Sequence, residues 1–515
     1  MNTQTVPDPD LAFQAIPDIV RRRARADPGH VALLRGEDRM SYGELDALMD
    51  RVAASLHRDG LMPGDVIAIC ANTSPRYAAV FLGALRAGVA VAPLALSSTP
   101  GQFAAMVGDA KPSCLFADEA SVDLIAAAGA AVPCIGLEGT LPWRRLDDWL
   151  MPQSSVPAPV AIQPEWPFNI IYSSGTTGAP KGIVHSHARR WQLVARLESY
   201  DYGPQSVALL ATPMYSNTTL VVFFPTLAAG GSVVLMPKFD PRAYLELAQK
   251  HRVTHTMLVP VQYQRIMALP DFGNYALSSF HMKFCTSAPF SAALKADVLK
   301  RWPGGLVEFY GMTEGGGSCI LNAQEHPDKL HTVGKPAPGN DIRLIDDDGH
   351  ELAPGQTGEI VGHSGAMMTG YHNQPGKTHD AEWFDATGKR FIRSGDIGRF
   401  DVDGFVVLVD RKKDMIISGG FNVYPSDLEA VLREHPAVAE VAVVGVPSEQ
   451  WGETPVAYVV RRPGRDDNEA TLMQWTNSRV GKTQRIAALH LIDELPRSPI
   501  GKVLKRELRD RHVGH

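Results

Sequence analysis

The sequence predicts an α/β protein with a large N-terminal region of α/β subdomains, a small β-rich module and a compact α/β tail. Three observations carry this. At 515 residues the chain exceeds what one hydrophobic core serves, so at least two domains are expected. Its first third alternates helical and strand patterns in βαβ order, which implies a parallel sheet covered by helices. Beyond Tyr310 the texture changes to short strands parted by turn signals at 346–349, 355–358 and 401–404, and it stays so to about Asp410.

The elements follow in order. Ser41 and Glu44 have capping-box spacing, and Leu45, Leu48, Met49, Val52 and Leu56 then share one helical stripe. Gly60 follows where a C-terminal cap is wanted. VIAIC at 66–70 reads as an apolar strand. Ser74-Pro75 caps and starts a helix running to Gly88, and VAVAPL at 89–94 is the next strand. Residues 152–167 are proline-rich and read as a surface connection. From Arg411 onward, a helix around 426–434 precedes strands at 438–446 and 455–460.

Composition excludes several function classes. With 44% hydrophobic and 21% charged residues the chain reads as globular, and a formal charge of -6 argues against a nucleic-acid partner held by general electrostatics. The five cysteines, Cys70, Cys114, Cys134, Cys285 and Cys319, are widely spaced, which predicts reduced thiols in a cytoplasmic protein rather than a disulfide framework or zinc site. The polar, proline-bearing start predicts no secretory signal. No apolar run reaches the roughly 20 residues that span a bilayer. The basic stretch at 20–28 reads as the solvated face of a short amphipathic helix.

One stretch carries chemistry. YSSGTTGAPKG at 172–182 follows the apolar strand FNIIY and gathers hydroxyls, glycines and a lysine. Gly175 and Lys181 have Walker A spacing. Pro180, however, stands at the second glycine with no N–H to give a phosphate, and Gly182 replaces the hydroxyl residue that would hold Mg²⁺. The remaining features still suit an anion: glycines let the backbone curl, hydroxyls donate, and Lys181 brings a mobile charge. His185 and His187 follow at i, i+2. No local acid or cysteine joins them, so they are read as structural rather than as a metal pair.

YSSGTTGAPKG resembles the phosphate loop of the adenylate-forming superfamily, which includes acyl-CoA synthetases, peptide-synthetase adenylation domains and beetle luciferases. Four further segments match in the family's order: EFYGMTE at 308–314, RSGDIGRFDVDGF at 393–405, DRKKDMIISGGFNVYPSDLE at 410–429 and PRSPIGKVLKREL at 496–508. The resemblance implies an N-terminal domain over 1–410, with a β-barrel-like module at about 335–410, and a mobile C-terminal domain over 411–515. It implies a ligase that joins a small carboxylic acid to AMP from ATP, with Mg²⁺, and then passes the acyl group to CoA. Transfer to a carrier protein or an amine is the alternative, disfavoured because no carrier domain follows Lys502. A non-catalytic nucleotide-binding protein is the third. No membrane span is expected, and monomer and homodimer both stay open.

By position, the resemblance gives Ser173, Ser174, Gly175, Thr176, Thr177, Gly178 and Lys181 to the β- and γ-phosphates and Thr313 to the α-phosphate. Glu314 is the expected Mg²⁺ ligand and Tyr310 the residue stacking on adenine. Asp396 is expected on the ribose hydroxyls with Arg411 close by. Lys502 is expected to bridge the carboxylate and α-phosphate. Lys413 marks the hinge, and Gly419 and Gly420 the passage for the pantetheine arm.

Glu308 stands where relatives often have an amide, and the resemblance implies that its carboxylate still accepts from the adenine amino group. Ser216 replaces a histidine, and Tyr215, Ser216, Asn217 and Thr218 make a polar acyl wall that points to a polar substrate. Ser287 takes the place of a small residue between adenine and acyl group. Gly315 lines the acyl pocket, which the run 315–317 is expected to leave roomy or mobile.

Overall fold

The computed structural model describes residues 12–173, 180–418, 421–449, 451–481, 484–498 and 501–513. The helix Tyr42–Arg58 starts as its capping box requires: the Ser41 hydroxyl accepts from the Glu44 N–H, and the Glu44 carboxylate accepts from the Ser41 N–H at 2.8 Å. Its stripe is buried at Leu45, Met49, Val52 and Leu56, with Leu48 at the margin. Each such side chain contributes about 1.5–3 kcal/mol by leaving water. The Ser74 hydroxyl caps Pro75–Arg86 through the Tyr77 N–H, and the expected end at Gly88 shortens by two residues.

The strands Val66–Cys70 and Ala90–Pro93 pair in parallel, completing the predicted βαβ unit. They belong to an eight-stranded sheet ordered Gly370–Tyr371, Lys181–Ser186, Pro167–Ser173, Ala90–Pro93, Val66–Cys70, Leu115–Ala117, Cys134–Gly136, Arg144–Arg145. A nine-stranded sheet carries Gly305–Gly311, Met282–Cys285, His255–Leu258, Val207–Leu210 and Ser232–Leu235 as parallel neighbours. Parallel strands need both faces covered, which explains why these segments are short apolar runs rather than alternating ones.

The basic stretch lies on a short amphipathic helix, as expected, though not all of its arginines are solvated. The helix Ile16–Ala26 buries Ile16, Ile19 and Val20, and only part of its basic face is solvated. Arg21 is ion-paired with Asp46 and Asp50, and Arg23 donates to the Ala228 carbonyl at 2.8 Å. Four cysteines are buried and all five are free. Burial pushes the thiols of Cys70, Cys114 and Cys319 up to about 12, so they are poor nucleophiles. Among the described residues, no helix is long and apolar enough to cross a membrane.

The chain divides into two compact units. The first holds Met1–His331, Pro336–Asp341 and Gly362–Ile392; the second holds Thr332–Lys335, Ile342–Val361 and Arg393–His515. The second unit contains a five-stranded sheet in which Gly452–Arg461 lies between Ile416–Ser418 and Val438–Ser448, with Ala488–Leu491 also paired to it. Along Val438–Ser448 alternate residues enter different cores. Val441 and Val443 join Leu428, Leu432 and Leu472, whereas Ala442 and Val444 join Leu495 and Leu508. Both faces are therefore covered, which accounts for the unbroken apolar run.

Candidate functional site

The stretch 172–182 closes an antiparallel hairpin. Pro167–Ser173 pairs with Lys181–Ser186, with Ser173 directly opposite Lys181. A Walker A loop passes from a strand into a helix, so the geometry agrees with the local argument from Pro180 and Gly182. Ser174, Gly175, Thr176, Thr177 and Gly178 lie outside the described residues, as do Gly419 and Gly420.

The hairpin is joined side chain by side chain to the segment bearing Thr313 and Glu314. The Lys181 ammonium lies 4.9 Å from the centre of the Tyr371 ring. The Tyr371 hydroxyl donates to Glu314 Oε1 at 2.8 Å. Tyr371 is itself paired with Ile183 on the lysine's own strand, so strand pairing sets the distance between the cation and the carboxylate. Backbone bonds complete the hold: the Met368 N–H donates to the Glu314 carbonyl at 2.7 Å, and the Ser364 hydroxyl donates to the Gly315 carbonyl at 2.7 Å.

His185 fastens the same segment from beneath. It is fully buried on the strand Lys181–Ser186, and Nε2 lies 2.9 Å from the Thr313 carbonyl. A carbonyl only accepts, so Nε2 carries the proton and Nδ1 is left to accept from Arg190 Nη2 at 2.7 Å. Burial, with the charges of Arg189 and Arg190, holds the imidazole well below its ordinary range, and it stays neutral. His187 does not share the strand of His185 but opens the helix His187–Val194. Among the described residues neither histidine belongs to a cluster able to hold a metal.

Gly315 corrects the expectation of a roomy pocket at 315–317. Its φ is +74°, and a Cβ there would lie 2.0 Å from the Ala366 carbonyl oxygen and 2.9 Å from Arg189 Nη1. At Gly316 the same atom would meet Ile392 at 2.5 Å. These glycines serve close backbone packing and a left-handed turn, not open space.

The acyl-wall residues gather at the start of the helix Asn217–Ala229. The Ser216 hydroxyl caps it through the Thr218 N–H, and the Thr218 and Ser287 hydroxyls meet at 2.8 Å. Ser287 holds φ +82°, a left-handed conformation that costs a non-glycine residue of order 1–3 kcal/mol and accumulates at functional sites. Tyr215 is partly buried, and burial raises its phenol. Tyr310, beside Cys319 in register, is partly exposed at the end of Gly305–Gly311.

Glu308 departs most from expectation. It is buried beside Cys285 in the sheet, and its carboxylate is ion-paired with Lys295 from the helix Ala292–Arg301. Burial pushes the carboxyl up to about 7, with Lys295 opposing. Lys295 was not singled out from the sequence; seen alone, it is a charged residue on a helix.

In the second unit, Asp396 and Arg411 face one another across paired strands, and Arg411 Nε donates to Asp396 Oδ1 at 2.7 Å. Lys413 sits in the 3₁₀ turn Lys412–Asp414, and partial burial lowers its ammonium. The helix Pro425–Arg433 is tied back to the strand Val406–Arg411, because the Ser426 N–H donates to Asp410 Oδ2 at 2.9 Å. Lys502 is exposed, and its N–H donates to the Ser498 hydroxyl at 3.2 Å.

Comparison with known proteins gives matches along most of the chain. The family model for the AMP-binding enzyme matches residues 20–372, and that for the AMP-binding enzyme C-terminal domain matches 427–502. The indoleacetate–CoA ligase of Aromatoleum aromaticum is 33% identical over 506 residues, covering 95% of this chain and 96% of the relative. The crystal structure of ATP-bound MatB from Rhodopseudomonas palustris superposes with a TM-score of 0.84 at 30% identity, over 97% of this chain and 99% of that one. The amide bond synthetase McbA from Marinactinospora thermotolerans does so with a TM-score of 0.83 at 27% identity, over 96% and 99%.

Proposed function

As this chain belongs to the AMP-binding enzyme family, we propose that it is a CoA ligase in which each motif residue has a definite task. A carboxylate is a poor electrophile. Its oxygen attacks the α-phosphorus of ATP, the bond to the bridging oxygen breaks, and pyrophosphate leaves. The acyl-adenylate is a mixed anhydride, and the CoA thiolate attacks its carbonyl and expels AMP. Little covalent chemistry is asked of the protein, so fixed donors and cations do most of the catalysis.

Lys181 and Ser173, with the loop between them, hold the outer phosphates, and Thr313 holds the α-phosphate. Tyr310 takes the adenine, Asp396 the ribose and Lys502 the reacting carboxylate and α-phosphate. Glu314 fits Mg²⁺: it offers hard oxygen, and the Tyr371 hydroxyl on Oε1 orients the carboxylate. Bound there, the ion would neutralise phosphate charge. Lys413 is the hinge through which the C-terminal domain withdraws Lys502 and admits the thiol between half-reactions.

The observation that carries this reading is the link from Lys181 through Tyr371 to Glu314, which ties the phosphate hairpin to the α-phosphate segment. The likeness to McbA favours amide formation as the second reading.

One assay separates them. Carboxylic acids are screened for ATP-dependent pyrophosphate release, and CoA, an amine or a carrier protein is then added and the product weighed by mass spectrometry. A thioester of CoA is expected. An amide selects the second reading, and no pyrophosphate from any acid overturns the function. Lys502→Ala is expected to abolish pyrophosphate release while sparing thioester formation from preformed acyl-adenylate.

A further inference from the structure

The wall residue Asn217 is not free to choose how it hydrogen-bonds. Arg190, in the helix His187–Val194, is 1% exposed. Its Nε donates to Asn169 Oδ1 at 3.0 Å, Nη1 to Asn217 Oδ1 at 2.8 Å and Nη2 to His185 Nδ1 at 2.7 Å. All three acceptors are neutral, and among the described residues no carboxylate is ion-paired with Arg190. Burying a guanidinium this way is costly, so every acceptor it has found is held firmly.

A guanidinium has donors only. The Asn217 amide must therefore turn its oxygen toward Arg190, because the flipped amide would set N–H against N–H in a buried place. With Oδ1 turned to Arg190, the end of the amide that faces away from the guanidinium is Nδ2, and Asn217 is partly exposed. The adjacent positive charge polarises the amide and strengthens those donors. The same guanidinium reaches His185, which holds the Thr313 carbonyl, so the α-phosphate segment and the acyl wall share one rigid support.

We propose that Arg190 locks Asn217 as a hydrogen-bond donor, and that Asn217 thereby selects acids bearing an acceptor oxygen, such as an ether or ketone, on the acyl part. This rests on the proposed function, in which Asn217 lines the acyl pocket. A methylene at the same place leaves the donor unpaired, and an N–H opposes it. A hydroxyl is tolerated, because it can accept.

The test measures kcat/KM for pyrophosphate release with benzoic, phenylacetic and cinnamic acids carrying methoxy, ethyl or methylamino at each ring position. In at least one scaffold the methoxy acid should exceed its ethyl counterpart by about tenfold or more, since a site built to pair a polar group rejects the analogue lacking it. Asn217→Leu should bring that ratio to about one. Arg190→Leu frees the amide to turn, so the methoxy preference over methylamino should collapse. Asn217→Asp, an acceptor-only side chain held by Arg190, should reverse it.

Where Arg190→Leu fails to fold, the two substitutions at partly exposed Asn217 decide the matter. Pyrophosphate release with no such preference in the native chain, or a preference that survives Asn217→Leu, overturns this inference and leaves the proposed function standing. No pyrophosphate from any acid removes both.

Discussion

Two acid–base pairs in this chain show how environment, rather than residue type, decides what a charge does. Lys295 and Glu308 have side chains 1% and 5% exposed. Arg411 and Asp396 have side chains 44% and 20% exposed. In the first pair water has been stripped away and each charge depends on the other, with Lys295 donating also to the Leu330 carbonyl at 2.8 Å. In the second, Arg411 orients Asp396 by one charge-assisted bond while solvent still reaches both. Both acids sit in recognisable motifs. The buried one is committed inside the fold, and the partly exposed one is left within reach of solvent.

The comparison breaks most easily at Lys295. Lys295→Met should cost about 3–5 kcal/mol, because it leaves Glu308 buried and uncompensated; denaturant unfolding measures it. Asp396→Ala should leave stability within about 1 kcal/mol, since half-exposed ion pairs contribute little. It should nevertheless weaken ATP by about 1.5–3 kcal/mol if the carboxylate accepts from ribose; ATP titration beside an unfolding curve checks both halves.

The pH dependence of Lys295→Met sharpens the contrast. Burial raises the Glu308 carboxyl from its ordinary 4.5 to about 7. The folded state then binds the proton more tightly than the unfolded one. The stability from this group is full below the ordinary value and is lost as pH rises toward the raised one. Without Lys295 the carboxyl rises further. Stability of Lys295→Met should therefore fall between about pH 5 and pH 8, by up to about 1.4 kcal/mol per pH unit, more steeply than in the native chain. The smallest effect is expected of Lys295→Met with Glu308→Leu. Replacing both members by apolar groups should restore stability to within about 1 kcal/mol of native and abolish the extra slope.

Much of the fold was legible because its signals are local. The capping box at Ser41 and Glu44, the Ser74-Pro75 start and the apolar run at 66–70 each depend on neighbours a few residues apart, and each formed where expected. The phosphate stretch was legible for the same reason, since Pro180 rules out a Walker A loop without reference to anything distant. The run at 315–317 was misread because Gly315 and Gly316 answer to Ala366, Arg189 and Ile392, which no local pattern reveals. The link from Lys181 through Tyr371 to Glu314 spans strands far apart in sequence, and Tyr371 carried no motif of its own.

The sequence by itself determined the family, the α/β class and the order of the chemical motifs, because spacing, caps and glycine patterns are properties of neighbouring residues. Only the tertiary structure decided which charges are desolvated and what they face. It buried Glu308 against Lys295, set Arg190 among neutral acceptors, and so turned the Asn217 oxygen toward that guanidinium and its Nδ2 away. The physical reason is that hydrogen-bond direction and ionisation depend on the groups brought alongside in space.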